Sequence, residues 1–154
     1  MAPEVVIAKL VQLKQGTDLH TSTFAQMVAY EAARGGFLDR HVPLIRRVYA
    51  ERKRVMLEAL ERHFPRDVRW TRPQGGLFLW VTLPDGLDSE RLLADALAEK
   101  VAFVPGRPFF PKEGGASSFR LNFSYCTPER IEEGIRRLGR VLERQERGSP
   151  KAPP

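Results

Sequence analysis

The segment SSFRLNFSYCTPERIEEGIRRL, residues 117–138, changes from a two-residue period to a helical period within a few positions. Its first part places apolar and polar side chains in alternation: Phe119, Leu121 and Phe123 against Arg120, Asn122 and Ser124. Because successive side chains of a strand point to opposite faces, the apolar set should meet packed helices while Arg120 faces a cleft or solvent. Thr127 then predicts a helix N-cap, with Pro128 at the first helical position.

The other residues after Pro65 also show the periods of short strands and helices. Residues 68–86 predict strand, turn and strand, with the turn at Pro73–Gly76, and residues 88–100 predict a short helix capped by Asp88 or Ser89. VAFVPG, residues 101–106, predicts a short buried strand, and the apolar run over 77–82 predicts a strand covered on both faces. The order β-β-α-β-β-α predicts an α+β fold, a small and mostly antiparallel sheet with helices on one face.

The chain before Pro65 is helical by its apolar periodicity. We expect helices over residues 4–13 and 22–33, then a long helix from about 38 to 63. Residues 1–36 have no obvious packing partner, and they read as the end of a larger unit. The predicted organisation is therefore a helical segment 1–36, a connecting helix 37–64, a small α+β domain 65–146 and a disordered tail 147–154.

Composition limits the possible classes of protein. The 154 residues carry 25 basic and 19 acidic side chains, and arginines alternate with glutamates along the helical stretches. That pattern is typical of solvated helix faces, so we expect no nucleic-acid surface. Without a long apolar run, a zinc-ligand spacing or a second cysteine, we expect a cytoplasmic protein with no membrane span, metal or internal disulfide.

Arg120 allows two interpretations. A guanidinium on a rigid strand offers a planar fork of donors that matches a carboxylate in bidentate fashion. The other interpretation is an ordinary sheet arginine paired with a surface acid, which is the more frequent situation for arginines in proteins. The pattern by itself leaves both open.

Three motifs in order carry a family resemblance: RPQGGLFLWVTLP, VAFVPGRPFF and FRLNFSYCTPERIEEGIRRLGRVL. Together they resemble the C-terminal part of a pyridoxal-phosphate-dependent aminotransferase of fold type I, class I/II, within the 2-aminoadipate and kynurenine aminotransferase group. VQLKQGTDLHTSTFAQ resembles the segment after the cofactor-lysine motif of that group. The resemblance covers about residues 3–145.

The resemblance implies several site residues. Arg120 would bind the α-carboxylate of the substrate, Gly76 would allow close backbone approach, and Phe78 would contact substrate. For Gly76 and Phe78, a plain turn and a core residue are equally open interpretations. For the complete enzyme the resemblance implies pyridoxal 5'-phosphate, an amino acid and a 2-oxo acid as substrates, and a homodimer.

The cofactor-binding lysine of such enzymes is not found in this sequence. None of the six lysines has a serine three positions before it, as the family's Ser-x-x-Lys motif requires. We therefore predict no catalytic or cofactor-binding residue here and expect this chain alone neither to bind the cofactor covalently nor to transaminate. Two alternatives stay open: the ligand-sensing module of a MocR-type transcription regulator, and a free-standing module that binds a partner through its first helices.

Overall fold

A computed structural model describes residues 2–148 of the chain. It contains five helices, four strands and one 3-10 turn: α1 Glu4–Thr17, α2 Thr23–Ala33, α3 Phe37–His63, β1 Arg69–Trp70, β2 Phe78–Thr82, α4 Ser89–Ala98, β3 Val104–Pro105, the turn Arg107–Phe109, β4 Ser118–Asn122 and α5 Pro128–Gly148. The predicted order β-β-α-β-β-α after Pro65 is confirmed. Of the predicted tail, residues 147 and 148 continue α5, and residues 149–154 lie outside the described part.

The chain divides into two units, and the boundary falls inside α3, between Ile45 and Arg46. In the first unit, α1 runs four residues beyond its predicted end at Leu13 and takes in Gly16. Neither α1 nor α2 contains a buried residue. The assignment of residues 1–36 to a larger domain stays a prediction.

The second unit is built around a sheet with the strand order β1-β2-β4-β3. All three pairings are antiparallel, which agrees with the predicted α+β fold. β4 lies inside the sheet, between β2 and β3, so side chains on β4 have neighbours on both sides. β3 pairs with Phe119 and Arg120, so these two residues of β4 are paired on both sides.

One face of the sheet carries the hydrophobic core, where it packs against α3, α4 and α5. Its buried side chains include Met56, Leu60, Leu79, Val81, Leu92, Phe119, Leu121, Ile131, Leu138 and Leu142. The predicted apolar set on β4 is therefore in the core, as the alternation required. Burial of these side chains supplies most of the stabilising free energy, at about 1.5–3 kcal/mol for each large residue.

The opposite face of the sheet is much more open, and here two expectations were wrong. β2 is not covered on both faces, since Phe78 is 39% exposed and Trp80 only half-buried. The predicted strand over 101–106 shrinks to Val104–Pro105, with Val104 exposed and Phe103 buried. Aromatic side chains on the open face gave an apolar signal that the periodicity could not separate from core packing.

Side-chain N-caps define where α4 and α5 begin. The carboxylate of Asp88 accepts hydrogen bonds from the backbone N–H groups of Glu90 and Arg91, which makes Asp88 the N-cap of α4. Thr127 Oγ1 accepts from the N–H of Arg130, and Pro128 begins α5 as predicted. Each helix therefore starts at a defined residue next to the sheet.

Candidate functional site

Arg120 lies at the centre of the open face of the sheet. In the antiparallel register it stands opposite Trp80 of β2 on one side and Val104 of β3 on the other. Its chain neighbours Phe119 and Leu121 are buried in the core. The guanidinium is thus carried by a rigid strand whose other face is anchored by packed side chains.

Two aromatic rings contact the guanidinium of Arg120. Its central carbon lies 4.0 Å from the centroid of the Phe78 ring and 4.7 Å from that of Phe109. Both distances are within the range of a cation–π interaction. The rings restrict the guanidinium without using its hydrogen-bond donors, so those donors remain available to a planar acceptor.

The other interpretation of Arg120, an ion pair with a surface acid, finds no such acid among the described residues. Arg120 takes part in none of the ion pairs there, although twelve other pairs join basic side chains to acids. Its Nε atom is buried and has no hydrogen-bond partner within residues 2–148. A buried donor left unpaired costs about 1–3 kcal/mol, so this arrangement is unusual for a purely structural arginine.

The loop that carries Phe109 is fixed by contacts on both of its sides. The N–H of Gly106 donates to the carbonyl of Ser118 at 2.8 Å, and Arg107 donates to the carboxylate of Asp88 at 2.8 Å. A Cβ atom at Gly106 would lie 2.2 Å from Ser118 Oγ, so only glycine allows the loop to approach β4 this closely. The ring of Phe109 also meets Trp80 edge to face, with 5.4 Å between the centroids.

The ion pair of Asp88 connects this loop to the start of α4. The Arg107 guanidinium and the backbone N–H groups of Glu90 and Arg91 favour the charged carboxylate, and together they lower the pKa of Asp88. The same contact raises the pKa of Arg107 above its ordinary value. Asp88 therefore serves both as a helix cap and as the anchor of the loop.

The predicted site residue Gly76 ends the turn before β2. Its φ of +84° lies in the left-handed region, which favours glycine, and a Cβ there would meet no atom within 4 Å. Lys53 Nζ donates to the carbonyl of Pro73 at 3.0 Å and holds this turn to α3. The backbone conformation alone accounts for glycine at this position, and a role for Gly76 in binding stays a prediction.

Phe78 is a residue of the open face and not of the core, which disfavours the plainer interpretation of its role. Contact of Phe78 with substrate stays a prediction. Phe109 and Trp80 complete the same surface but were not singled out from the sequence. Trp80 shares the two-residue period of Phe78 and could have been found that way, whereas Phe109 lies in a loop whose periodicity carries no signal.

A concave region lies away from this face. It has a volume of about 620 Å³ and lies between α3, α5 and the segment before β3, with Met56, Val101 and Ile131 among its lining residues. Arg120, Phe78 and Phe109 do not line it. Within residues 2–148, no group of His, Cys, Asp and Glu side chains is arranged to hold a metal ion, and no helix has the length and apolar character to cross a membrane.

Several known aminotransferases are similar to this chain over most of its length. The chain is 50% identical over 137 residues to the 2-aminoadipate transaminase of Thermus thermophilus, covering 89% of the chain and 34% of that protein. It is 45% identical over 139 residues to aromatic-amino-acid aminotransferase 1 of Thermococcus litoralis, covering 90% and 33%. The crystal structure of LysN, an alpha-aminoadipate aminotransferase of Thermus thermophilus, matches with a TM-score of 0.80 and 48% identity over 96% of this chain and 38% of that one.

A second group of similar proteins consists of transcription regulators. The HTH-type regulators YdfD of Bacillus subtilis and YdcR of Escherichia coli are 29% and 31% identical to this chain, over 29% of their own length in each case.

These similarities agree with the resemblance identified from the three motifs. The chain spans about a third of the length of the curated aminotransferases that it matches. The sequence pattern of the family "Aminotransferase class I and II" matches residues 1–138. This chain therefore belongs to the aminotransferase class I and II family.

Proposed function

We propose that this chain supplies the substrate-carboxylate site of an aminotransferase that moves an amino group between an L-amino acid and a 2-oxo acid. The observation that supports the proposal is the environment of Arg120. It is a strand-borne guanidinium on the open face of the sheet, contacted by Phe78 and Phe109 and paired with no described acid. Among the described residues it is the group best suited to a planar carboxylate.

In this role Arg120 would bind both oxygens of the α-carboxylate through its fork of N–H donors. Since β4 is held between β2 and β3 and anchored in the core by Phe119 and Leu121, the bound carboxylate would have a defined orientation. Fixing the carboxylate fixes the direction of the Cα–H bond, and such orientation is a large part of the rate gain of enzymes. The exposed edge of Phe78 would lie beside the substrate.

The residues of this chain do not by themselves fit pyridoxal 5'-phosphate. Three of its lysines have other partners: Lys9 donates to Gln12, Lys14 pairs with Asp18, and Lys53 donates to the Pro73 carbonyl. No lysine follows the Ser-x-x-Lys pattern of the family. We propose that the complete enzyme uses this cofactor, as its family does, through residues outside this chain.

The names of the similar enzymes support a substrate class. Their names specify 2-aminoadipate, aromatic amino acids and, for a Pyrococcus horikoshii structure at 44% identity, kynurenine. All of these carry the α-carboxylate that Arg120 is proposed to bind, and they differ in the side chain. We therefore propose an L-amino acid and a 2-oxo acid as substrates. The family resemblance is the basis on which we propose a homodimer for the complete enzyme.

The regulator similarity favours a second candidate, a ligand-sensing module attached to a DNA-binding domain. The aminotransferases are 43–50% identical to this chain and the regulators 29–31%. That difference favours the enzyme. A carboxylate site at Arg120 would serve either protein, so the two candidates differ in turnover and not in binding.

A chimeric enzyme tests the proposal directly. The matching C-terminal third of the Thermus thermophilus 2-aminoadipate transaminase would be replaced by this chain, and transamination would be measured before and after Arg120→Lys. We expect an active chimera, and a kcat/KM lower by about 10- to 150-fold in the variant, since losing a charge-assisted bidentate contact costs about 1.5–3 kcal/mol.

The matched control is Arg69→Lys, which changes an exposed arginine on β1 of the same sheet. This variant should keep the kcat/KM of the chimera. An Arg120→Lys chimera with unchanged kcat/KM would overturn the carboxylate role. A chimera that folds and binds the amino acid but never turns it over would favour the sensing module.

A further inference from the structure

We propose that Phe109 is a positioning residue that holds the Arg120 guanidinium in the orientation needed to receive a carboxylate. This inference rests on the proposed function of Arg120. The ring of Phe109 lies 4.7 Å from the guanidinium carbon, and it comes from a loop, not from the strand pair that carries Arg120 and Phe78. Phe109 is therefore a second and independent support for the same cation.

The loop holds Phe109 in place firmly enough to act in this way. The 3-10 turn Arg107–Phe109 is closed by the N–H of Phe109 donating to the Gly106 carbonyl at 2.9 Å. The turn is tied to β4 through Gly106 and to α4 through the ion pair of Arg107 with Asp88. A ring on a tethered turn can restrict a long flexible side chain, because its own backbone has little freedom.

The contact with Trp80 fixes the remaining freedom of the ring. Phe109 meets Trp80 edge to face with planes at 86°, and Trp80 stands opposite Arg120 in the register of β2 and β4. Phe109 therefore contacts both Trp80 and the Arg120 guanidinium, and these two contacts limit the positions of its ring. Phe109 is 44% exposed, so its large apolar surface is not explained by core packing.

The effect of the ring on carboxylate binding should be moderate and specific. A cation–π contact at a partly exposed site corresponds to a factor of about 2–5 in an equilibrium constant, and to more where water is excluded. Leucine at this position keeps an apolar side chain but has no aromatic face. Phe109→Leu should therefore weaken carboxylate binding about two- to fivefold, while Phe109→Tyr, which keeps the ring, should bind like the wild type.

The test uses the full 154-residue chain labelled with ¹⁵N-arginine, with acetate as the carboxylate probe. The Nε–H signal of Arg120 is assigned as the one lost in Arg120→Lys. In the wild type we expect this signal to be shifted by the two rings, to exchange slowly with water, and to move on titration with acetate. In Phe109→Leu we expect a smaller ring shift, faster exchange and weaker acetate binding at Arg120.

Tyr125→Ala is the matched control, because it removes an aromatic ring that is 86% exposed and makes no contact with Arg120 among the ring contacts of the described residues. Its Arg120 signal and acetate titration should equal those of the wild type. An acetate response that is the same in Phe109→Leu as in the wild type would overturn this inference and leave the role of Arg120 intact. An Arg120 signal that ignores acetate in the wild type would overturn the role of Arg120 and this inference with it.

Discussion

Arg120 and Phe78 form the contact around which the open face of the sheet is organised, with 4.0 Å between the guanidinium carbon and the ring centroid. The two residues lie on neighbouring strands, diagonal to each other, since the register places Trp80 and not Phe78 opposite Arg120. Long side chains reach such diagonal neighbours easily. Phe78 thereby covers part of the cation while remaining 39% exposed itself.

Replacing Phe78 should affect substrate binding more than turnover. In the chimeric enzyme described above, we expect Phe78→Leu to raise KM about two- to fivefold, because a cation–π contact of about 0.5–1 kcal/mol is lost, and to change kcat little. Steady-state kinetics with a saturating 2-oxo acid measures both constants. Leu97→Ala, at an exposed apolar residue on α4, should leave both unchanged. An unchanged KM in Phe78→Leu would show that the ring contributes nothing to binding.

The close approach of α5 to the end of α3 predicts a sharp difference between two glycines of the same helix. A Cβ at Gly139 would lie 2.2 Å from the carbonyl oxygen of His63, whereas a Cβ at Gly134 would meet nothing within 4 Å. Gly139→Ala should therefore destabilise the protein by about 1–3 kcal/mol through overpacking. Gly134→Ala should stabilise it by about 0.5–1 kcal/mol, since alanine is the better helix former.

Urea unfolding of both glycine variants gives the free energies of unfolding directly. The prediction requires opposite signs at the two positions. If both variants were destabilised equally, the cause would be a general effect of substitution in α5. The prediction from the close approach of Gly139 to His63 would then be wrong.

Asp88 predicts a dependence of stability on pH. Its pKa is lowered in the folded protein, first by the hydrogen bond from Arg107 and then by two backbone N–H groups of α4. A lowered folded pKa means that the stabilisation is present above the unfolded pKa of about 3.9 and is lost as the pH falls through the folded pKa. Asp88→Asn should therefore be less stable than the wild type at pH 7, by about 0.5–1 kcal/mol, and this difference should shrink below about pH 4.

Thermal unfolding between about pH 2.5 and pH 7 measures this difference across the range in which the carboxylate titrates. Asp85→Asn is the control, because Asp85 is an exposed aspartate in the turn before α4. Its difference from the wild type should stay small across the range. A constant deficit of Asp88→Asn at all pH values would show that the charge of Asp88 does not matter and that only its capping geometry does.

The distribution of buried residues predicts that the first two helices are dispensable for folding of the second unit. Every buried hydrophobic residue of the described chain lies between Met56 and Leu142, and α1 and α2 expose residues such as Phe24, Met27 and Leu10. Deleting residues 2–36 should keep the cooperative thermal transition within about 3 °C and reduce self-association. Calorimetry and analytical ultracentrifugation measure the two effects, and loss of the transition would show that α1 and α2 contribute to the core.

The missing lysine motif predicts that this chain forms no specific covalent adduct with the cofactor. After addition of pyridoxal 5'-phosphate and borohydride reduction, peptide mapping should show no single preferred lysine. An intact aminotransferase treated in parallel should be labelled at one lysine. Stoichiometric label on one lysine of this chain would contradict the assignment of cofactor chemistry to residues outside it.

The sequence alone determined the local features of this protein. The two-residue period put Phe119 and Leu121 on one face of a strand and Arg120 on the other. The capping residues, Asp88 or Ser89 for α4 and Thr127 for α5, predicted where the two helices start, and the structure selects Asp88. These features depend on a few consecutive residues, because strand alternation and helix capping are local properties of the backbone. The three family motifs are likewise recognised from short runs of consecutive residues.

Only the tertiary structure decided what surrounds Arg120. Arg120 pairs with no described acid, Phe109 contacts it from a loop, and the aromatic face of β2 is open. All three features depend on how segments distant in the sequence pack together. A local sequence pattern predicts Phe78 and Trp80 as core residues, because it depends on their apolar character and contains no information about what they pack against. The partner is set by the side of the sheet on which the helices pack, and contacts between residues far apart in the sequence determine that side.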